Sequence, residues 1–384
     1  MNKGSDVGME FCLRDVPHPG EFIREELEAR GWLQRDLAYI LGVPEQAVNM
    51  ILAGKRGISP DMAKALGDAF DVHPEFFANL QKSFEMANAK EPDPGIAKRA
   101  RWQVAYPVRE MIKRGWLEAA DPDLMEAQMM RFFEVNRIDD IPHLPHAAKK
   151  TVYGETPANQ LAWLFRVRQI AKEMMTPRYS EKNLRGAVSQ LESLMVDPEE
   201  IRHVPRVLAE CGVRFVIVET LPGAKIDGVT HWLDARSPVI GMTTRYDRID
   251  NFWFVLRHEI EHVLQKHGQK EAVGVIDAEL EGSKASLSPD LPEEERIANG
   301  AAQDFCVPSD EMESFFVRKA PYFAERDVVG FSGRVSRHPG IVVGQIQRRT
   351  EQWNFLRRYQ VKIREHVTQG ALVDGWGQPA PVVL

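Results

Sequence analysis

Apolar residues at helical spacing fill the first part of the chain, in short segments separated by Gly or Pro. Within each segment they recur three or four residues apart, which is the period of an amphipathic α-helix. The predicted helices are Phe22–Ala29, Leu33–Leu41, Glu45–Leu52, Pro60–Phe70 and Asp71–Asn88. A tight turn of Gly42, Val43 and Pro44 separates the second helix from the third. We therefore predict a five-helix domain over residues 17–90, preceded by a flexible leader over residues 1–16.

The pattern changes in the remainder of the chain. Residues 91–200 begin as a linker rich in Pro and continue as helical segments. Among these segments we predict a loop at Ile141–Lys150 and a helix at Ala158–Met175 whose Arg166 faces solvent. Near residues 213–218, 228–233 and 239–242 the apolar period falls to two, which indicates short β-strands. We predict a second domain over residues 201–365, closed by a helix from Gly344 to Arg364, and a tail over residues 366–384, which are rich in Gly and Pro. The predicted fold class is mostly α with a small β-sheet, an α+β arrangement.

One apolar helix of the second domain carries a candidate metal site. Phe252 to Leu264 contains the sequence His258-Glu259-Ile260-Glu261-His262. Histidines at positions i and i+4 share one face of a helix and can hold Zn²⁺ together. Glu259 stands next to the first histidine, where it could take a proton from water at the metal. The alternative is a core helix whose histidines only reach solvent, because so short a pattern also arises by chance.

A catalytic zinc site usually has three protein ligands. Glu295 is the candidate for the third, on a helix that follows Pro292 and ends near Pro308. Small residues at Ala298, Gly300, Ala301 and Ala302 would allow this helix to pack closely against another. The alternative for any glutamate here is a solvated residue in the first turn, which the helix dipole favours. Mn²⁺ or Fe²⁺ could use the same ligands, so the sequence does not determine the metal.

These residues and others around them resemble the ImmA/IrrE family of zinc metallo-endopeptidases over roughly Ile201 to Arg349. The similar stretches are His258–His262, Glu295 with Ala298 and Asn299, Leu208–Val213, Asp227-Gly228, Trp232, Pro238–Ile240, Arg245, Asp250–Trp253 and His338–Gly344. The resemblance implies a zincin-like metallopeptidase domain with His258, His262 and Glu295 as zinc ligands and Glu259 as the general base. It also implies that the substrate is a helix-turn-helix repressor. His338 is a candidate to stabilise an oxyanion, with a surface-loop histidine as the alternative.

The first domain has the short helices and tight Gly-containing turn of a helix-turn-helix unit. It is similar to the HigA-type antitoxins, a branch of the Cro/CI-like (XRE) DNA-binding family. The similarity rests on His18–Glu21, Leu37-Ala38, Leu41–Val43, Asn49, Gly54–Ile58, Ala65-Leu66 and Pro74–Leu80. It implies that Glu45–Leu52 is the recognition helix. Gln34 would contact a phosphate, Gln46 and Asn49 would read base edges, and Lys55 and Arg56 would hold the DNA backbone.

Charge and composition limit these interpretations. The net charge is −7, and residues 17–90 carry eight basic against eleven acidic side chains, so DNA binding must come from a local patch. Basic residues near Lys98 to Arg114 alternate with aromatic ones, and we favour a solvated helix face over a DNA contact there. Three scattered cysteines indicate a reducing compartment. With no signal peptide or membrane span predicted either, we expect a cytoplasmic protein without a membrane partner.

The predicted function is transcription regulation by a zinc endopeptidase that cleaves a repressor or antitoxin in a stress, toxin–antitoxin or mobile-element response. The alternative is a HigA-like antitoxin or repressor that binds operator DNA and uses its zinc domain only as a sensor or for dimerisation. A third hypothesis is cleavage of the chain's own linker, at Glu91 to Gly95. A toxin and a second copy of the chain are further candidate partners.

Overall fold

The computed structural model describes residues 16–137, 157–269, 275–278 and 291–380, with only the backbone considered for residues 275–278. The chain divides into two compact units, residues 1–93 and residues 94–384. The leader, except for Val16, and the loop predicted at Ile141–Lys150 lie outside the described residues.

Five helices make up the described part of the first unit. They are α1 (Pro19–Arg30), α2 (Gln34–Leu41), α3 (Glu45–Leu52), α4 (Pro60–Phe70) and α5 (Glu75–Ala87). Their bounds agree with the predicted helices to within a few residues. Gly42 ends α2 in the left-handed conformation, at φ 65°, which lets α3 start after a three-residue turn. Apolar residues from all five helices form one core, with Phe70 and Phe77 among the largest buried side chains.

The second unit combines helices with one sheet. Its helices are α6 (Gly95–Ala105), α7 (Val108–Lys113), α8 (Pro122–Phe132), α9 (Ala158–Glu173), α10 (Glu181–Ser193), α11 (Val204–Glu210), α12 (Ile249–Gln265), α13 (Glu293–Cys306), α14 (Ser309–Lys319), α15 (Glu325–Arg334), α16 (Pro339–Thr350) and α17 (Arg364–Val367). Its strands are β1 (Arg214–Val218), β2 (Ile226–Trp232), β3 (Pro238–Met242), β4 (Val275–Ala278) and β5 (Leu372–Asp374). The described residues are therefore mostly helical with a small sheet, as the sequence predicted.

The sheet is mixed, with the order β4-β2-β3-β1-β5. β1 pairs in parallel with β3 and β5, whereas β2 pairs antiparallel with β3 and β4. Side chains of β1 alternate between two apolar cores, because successive residues of a strand point to opposite faces. Phe215 and Ile217 join the core that contains α12, and Val216 and Val218 join the core that contains α9. The sheet thus supports the candidate metal helix on one face and is covered by α9 on the other.

Three features of the second unit differ from the sequence prediction. The stretch expected to be a tail contributes β5, and Asp374 within it is buried. The closing helix expected from Gly344 to Arg364 ends at Thr350, and a short 3-10 helix at Arg357–Tyr359 follows. Arg166, expected on the solvent side of α9, is buried and bonded to Asp374, because α9 is covered on both sides.

In the part of the chain that the structure describes, no helix has both the length and the apolar character needed to cross a membrane.

Candidate metal centre and DNA-contact residues

The candidate metal centre is built on α12, nearly all of which is buried. Trp253, Val255, Leu256 and Ile260 bury its apolar faces in the core beside the sheet. His258 and His262 are fully buried one turn apart, and their Nε2 atoms are 3.0 Å from each other. The helix ends at Gln265, and Lys266 after it adopts the left-handed conformation and turns the chain back towards the last turn of α12.

Glu295, in the first turn of α13, completes the group. Its carboxylate oxygens lie 3.4 Å from His258 Nε2 and 3.7 Å from His262 Nε2. The three ligand atoms lie within 4.8 Å of one another. Two nitrogens that are each roughly 2 Å from one tetrahedral Zn²⁺ would be roughly 3.3 Å apart. The two-His, one-Glu donor set therefore fits zinc in both chemistry and spacing.

Close packing of α13 against α12 brings Glu295 to the histidines. Ala298 and Ala302, one turn apart, are fully buried at this contact side of α13. Gly300 does not take part in it, because a Cβ atom there would meet open space. Of the four small residues predicted to allow close packing, Ala298 and Ala302 are therefore the two that lie where α13 approaches α12.

Both histidines have a second partner on the ring nitrogen that points away from Glu295. His258 Nδ1 lies 3.1 Å from Asn299 Oδ1, and His262 Nδ1 lies 2.7 Å from His267 Nδ1. Metal-binding histidines commonly donate their second ring N–H to such a partner, which sets the orientation of the ring. In this arrangement both Nε2 atoms face Glu295, where a shared ion would bind.

Glu259 is fully buried beneath strand β2. The Thr230 hydroxyl donates a hydrogen bond to Glu259 Oε2 at 2.7 Å and also lies 3.0 Å from the Glu259 carbonyl oxygen. A Cβ atom on Gly228 would approach Glu259 Oε1 to 2.2 Å, so only glycine leaves room for this carboxylate position. Thr230 and Gly228 of β2 therefore fix the position of the candidate general base.

The structure places His338 at the start of α16. Its Nδ1 atom accepts a hydrogen bond from the Gly340 backbone N–H at 3.0 Å, and its own backbone N–H donates to Met195. Burial lowers the pKa of His338, which keeps the ring neutral and able to accept this bond. His338 is not part of the group formed by His258, His262 and Glu295. None of these contacts supports the predicted oxyanion role.

The five residues predicted to contact DNA are all exposed on the first unit; they are Gln34, Gln46, Asn49, Lys55 and Arg56. Gln34 is the first residue of α2, and Gln46 and Asn49 lie on the solvent face of α3. The backbone N–H groups of Lys55 and Arg56 bond to Met50 at the end of α3, so both side chains start close to that helix. The exposed Glu45 stands beside Gln46 and would repel a phosphate.

The aromatic and basic side chains of the segment after the linker make contacts within the second unit. Trp102, Tyr106 and Trp116 are buried in the core beside α9 and cannot stack on bases. Lys98 pairs with Asp123 at 2.7 Å, and Arg114 donates to the carbonyl oxygens of Glu219 and Thr220. The solvated-helix interpretation is therefore the one that these contacts favour.

The sequence interpretation overlooked two residues that contact the site. His267 follows the end of α12, and only the left-handed turn at Lys266 brings its ring back to His262. Thr230 lies 29 positions before Glu259 on a separate strand, so no local spacing connects the two. The signal that the sequence offered was a histidine just past the C-terminus of the candidate metal helix.

Comparisons with known proteins match the first unit. A family model described as helix-turn-helix matches residues 23–77. Virulence-associated protein A' of Dichelobacter nodosus is 36% identical over 80 residues, which are 21% of this chain and 70% of that protein. An uncharacterised HTH-type transcriptional regulator of Escherichia coli K12 is 28% identical over 79 residues, or 21% of this chain and 84% of that protein.

Several solved structures are also similar to about a fifth of this chain. An addiction module antidote protein of the HigA family from Coxiella burnetii is 31% identical. The match covers 23% of this chain and 92% of that protein, with a TM-score of 0.19. A Pseudomonas aeruginosa protein in complex with its operator DNA is 36% identical. The match covers 22% of this chain and 91% of that protein, with a TM-score of 0.20.

Proposed function

Since the chain belongs to the helix-turn-helix family, we propose that it is a DNA-binding transcription regulator that also acts as a zinc-dependent endopeptidase. The first unit would bind an operator, and the second would cut a repressor or antitoxin protein. The convergence of His258, His262 and Glu295 beside Glu259 carries the peptidase part of the proposal. A structural zinc site would instead offer four closed protein ligands.

The chain's own residues have distinct roles in the proposed reaction. His258 and His262, through Nε2, and the Glu295 carboxylate would hold the ion. Bound zinc supplies Lewis acidity, which polarises a peptide carbonyl and lowers the pKa of water. Glu259 would accept the proton of the attacking water and then deliver it to the leaving amine. Thr230 would keep the Glu259 carboxylate in one orientation for both transfers.

The sheet offers a binding edge for an extended substrate. β4 is an outer strand, paired on one side with β2, which itself supports Glu259. A peptide could add to such an edge through main-chain hydrogen bonds, with little dependence on its sequence. This favours a protein substrate over a small ester or amide. The resemblance to ImmA/IrrE proteases suggests helix-turn-helix repressors and antitoxins as the substrates.

Glu259→Gln is the most direct test of the proposed peptidase. We expect this variant to retain zinc and to lose cleavage of helix-turn-helix proteins of the antitoxin class, with fragments measured by mass spectrometry. His366→Ala serves as the matched control because His366 is partly exposed on α17. Full activity of the Glu259→Gln variant would refute the role given to Glu259.

A second candidate function is DNA-bound repression in which the zinc domain only senses metal or mediates dimerisation. The exposed amides of Gln46 and Asn49 on α3 favour DNA recognition. After an operator has been selected from random sequence, Asn49→Ala should weaken binding by about 1–3 kcal/mol and relax specificity at one position. Lys55→Ala should weaken binding to all sequences and reduce its salt dependence. Unchanged repression by Glu259→Gln would favour this function over the peptidase.

A further inference from the structure

We propose that His267 is the positioning residue of the metal centre, which accepts a hydrogen bond from His262 and so orients this ligand. The inference rests on the proposed zinc site and assigns a role to a residue outside the ligand motif. The ring nitrogens His262 Nδ1 and His267 Nδ1 are 2.7 Å apart, and the two ring centroids are 5.0 Å apart.

The tautomers of the two rings follow from the ligand geometry. His262 Nε2 faces His258 Nε2 and Glu295, so this nitrogen is the metal-binding one. His262 Nδ1 must then carry the ring proton and needs an acceptor. His267 Nδ1 is that acceptor, with its own proton on Nε2. Asn299 Oδ1 provides the equivalent acceptor for His258 Nδ1 at 3.1 Å.

The backbone around His267 is held by bonds that do not involve its imidazole. The His267 backbone N–H donates to the His262 carbonyl at 2.9 Å. The Trp232 indole N–H donates to the His267 carbonyl at 3.0 Å. A change of side chain at position 267 therefore removes the acceptor but leaves both backbone bonds in place. This makes the proposed role separable from a role in folding.

Three substitutions at position 267 test the proposal. His267→Ala removes the acceptor and should weaken Zn²⁺ affinity about 10–100-fold, the usual effect of losing such a partner. His267→Asn places Oδ1 where Nδ1 stood and should restore most of the affinity. His267→Gln carries its amide oxygen one bond further out and should not. His366→Ala is the control, and affinity is measured by competition with a chromophoric chelator.

The absorption spectrum of Co²⁺ in the site gives a readout that is independent of activity. We expect its d–d bands to shift in the Ala and Gln variants and to match wild type in the Asn variant. Wild-type affinity and spectrum in all three variants would overturn the role of His267 while leaving the zinc site intact. If His267→Ala does not fold, equal affinity of the Asn and Gln variants would overturn it. Failure of wild type to bind Zn²⁺ would reject both the proposed site and this inference.

Discussion

His18 and His338 perform the same task at the starts of two helices. In each case the histidine precedes Pro and Gly, and its Nδ1 accepts the backbone N–H of that glycine, at 2.9 Å for Gly20 and 3.0 Å for Gly340. A Cβ atom on either glycine would come within 2.4 Å of a backbone carbonyl oxygen. His-Pro-Gly is therefore a helix-start motif in this chain, which gives the stretch around His338 a structural explanation.

Substitution of His338 distinguishes the capping role from a catalytic one. His338→Asn should keep the cap, because Asn is a favoured N-cap residue, and His338→Ala should cost about 1 kcal/mol of stability. Both variants should cleave substrate at the wild-type rate, as measured by fragment release below the unfolding transition. Loss of cleavage in two folded variants would instead support the predicted catalytic role.

Thr230 is expected to control the rate of cleavage without affecting metal binding. Thr230→Val keeps the shape but removes the hydrogen bond to the Glu259 carboxylate, and hydrogen bonds to charged groups contribute about 1.5–3 kcal/mol. We expect the cleavage rate to fall about tenfold or more, since 1.4 kcal/mol corresponds to a factor of ten. Thr230→Ser should retain most of the activity. An equal zinc content in all three proteins would show that the effect lies in Glu259.

At the scale of elements, α9 shows why hydrophobic spacing alone was incomplete. The pattern predicted one buried face with Arg166 outside, but the helix lies between the sheet and α6–α8. A polar residue on such a helix is buried with a partner that is distant in sequence. Arg166 finds Asp374, 208 positions later, and no local pattern could indicate this pair.

The buried His231 of β2 should make the protein sensitive to acid. Burial, with a smaller contribution from the α9 cations Arg168 and Lys172, lowers the pKa of His231 to about 3. Both cations are paired with Glu134. In the unfolded chain the His231 imidazole takes up a proton near pH 6.5, whereas in the folded chain it does so only near pH 3. The free energy of unfolding is therefore highest above about pH 6.5 and falls as the pH drops towards about 3.

Unfolding by urea at pH 7 and pH 5 measures this effect. Between these pH values the free energy of unfolding of wild type should fall by about 2 kcal/mol more than that of His231→Leu. The figure follows from about 1.36 kcal/mol for each pH unit below 6.5. His366→Leu, which changes a partly exposed histidine, should behave like wild type. An identical pH dependence in wild type and His231→Leu would contradict a neutral, buried His231.

Elements that are specified by nearby residues could be predicted from the sequence, whereas elements that depend on distant residues could not. The predicted and observed bounds of α3 are the same, because the turn before it and the spacing of its apolar residues both depend on neighbouring residues in the sequence. β1, β2 and β3 were found from their period of two, whereas β4 and β5 were missed. These two strands have four and three residues and depend on distant partners in β2 and β1. For the site, helical spacing predicted His258 and His262, but only the fold brings Thr230 to Glu259 and His267 to His262.

At the scale of the whole second unit, Asp374 connects the end of the described chain to the core. Its carboxylate accepts hydrogen bonds from Trp116 Nε1 at 2.7 Å, from Arg166 Nε at 2.9 Å and from the Ala380 backbone N–H at 3.0 Å. Arg166 and Asp374 are both almost fully buried. A charge left without its partner in such a position is strongly destabilising.

Asp374→Asn tests this connection. The amide keeps the size of the side chain but leaves Arg166 as an unpaired buried cation, so the second unit should lose about 3–5 kcal/mol. Glu210→Gln is the control, because Glu210 forms an exposed pair with Arg206, and it should leave the urea midpoint nearly unchanged. Similar midpoints for both variants would mean that Asp374 does not stabilise the core.

The metal content of the purified protein is the measurement that tests the central proposal most directly. Elemental analysis of wild type should give about one zinc per chain, and His258→Ala should have lost it, because His258, His262 and Glu295 share a single ion in this account. Zinc-free wild-type protein, after preparation without chelators and addition of Zn²⁺, would contradict the metallopeptidase proposal. The helix-turn-helix unit would then carry the function.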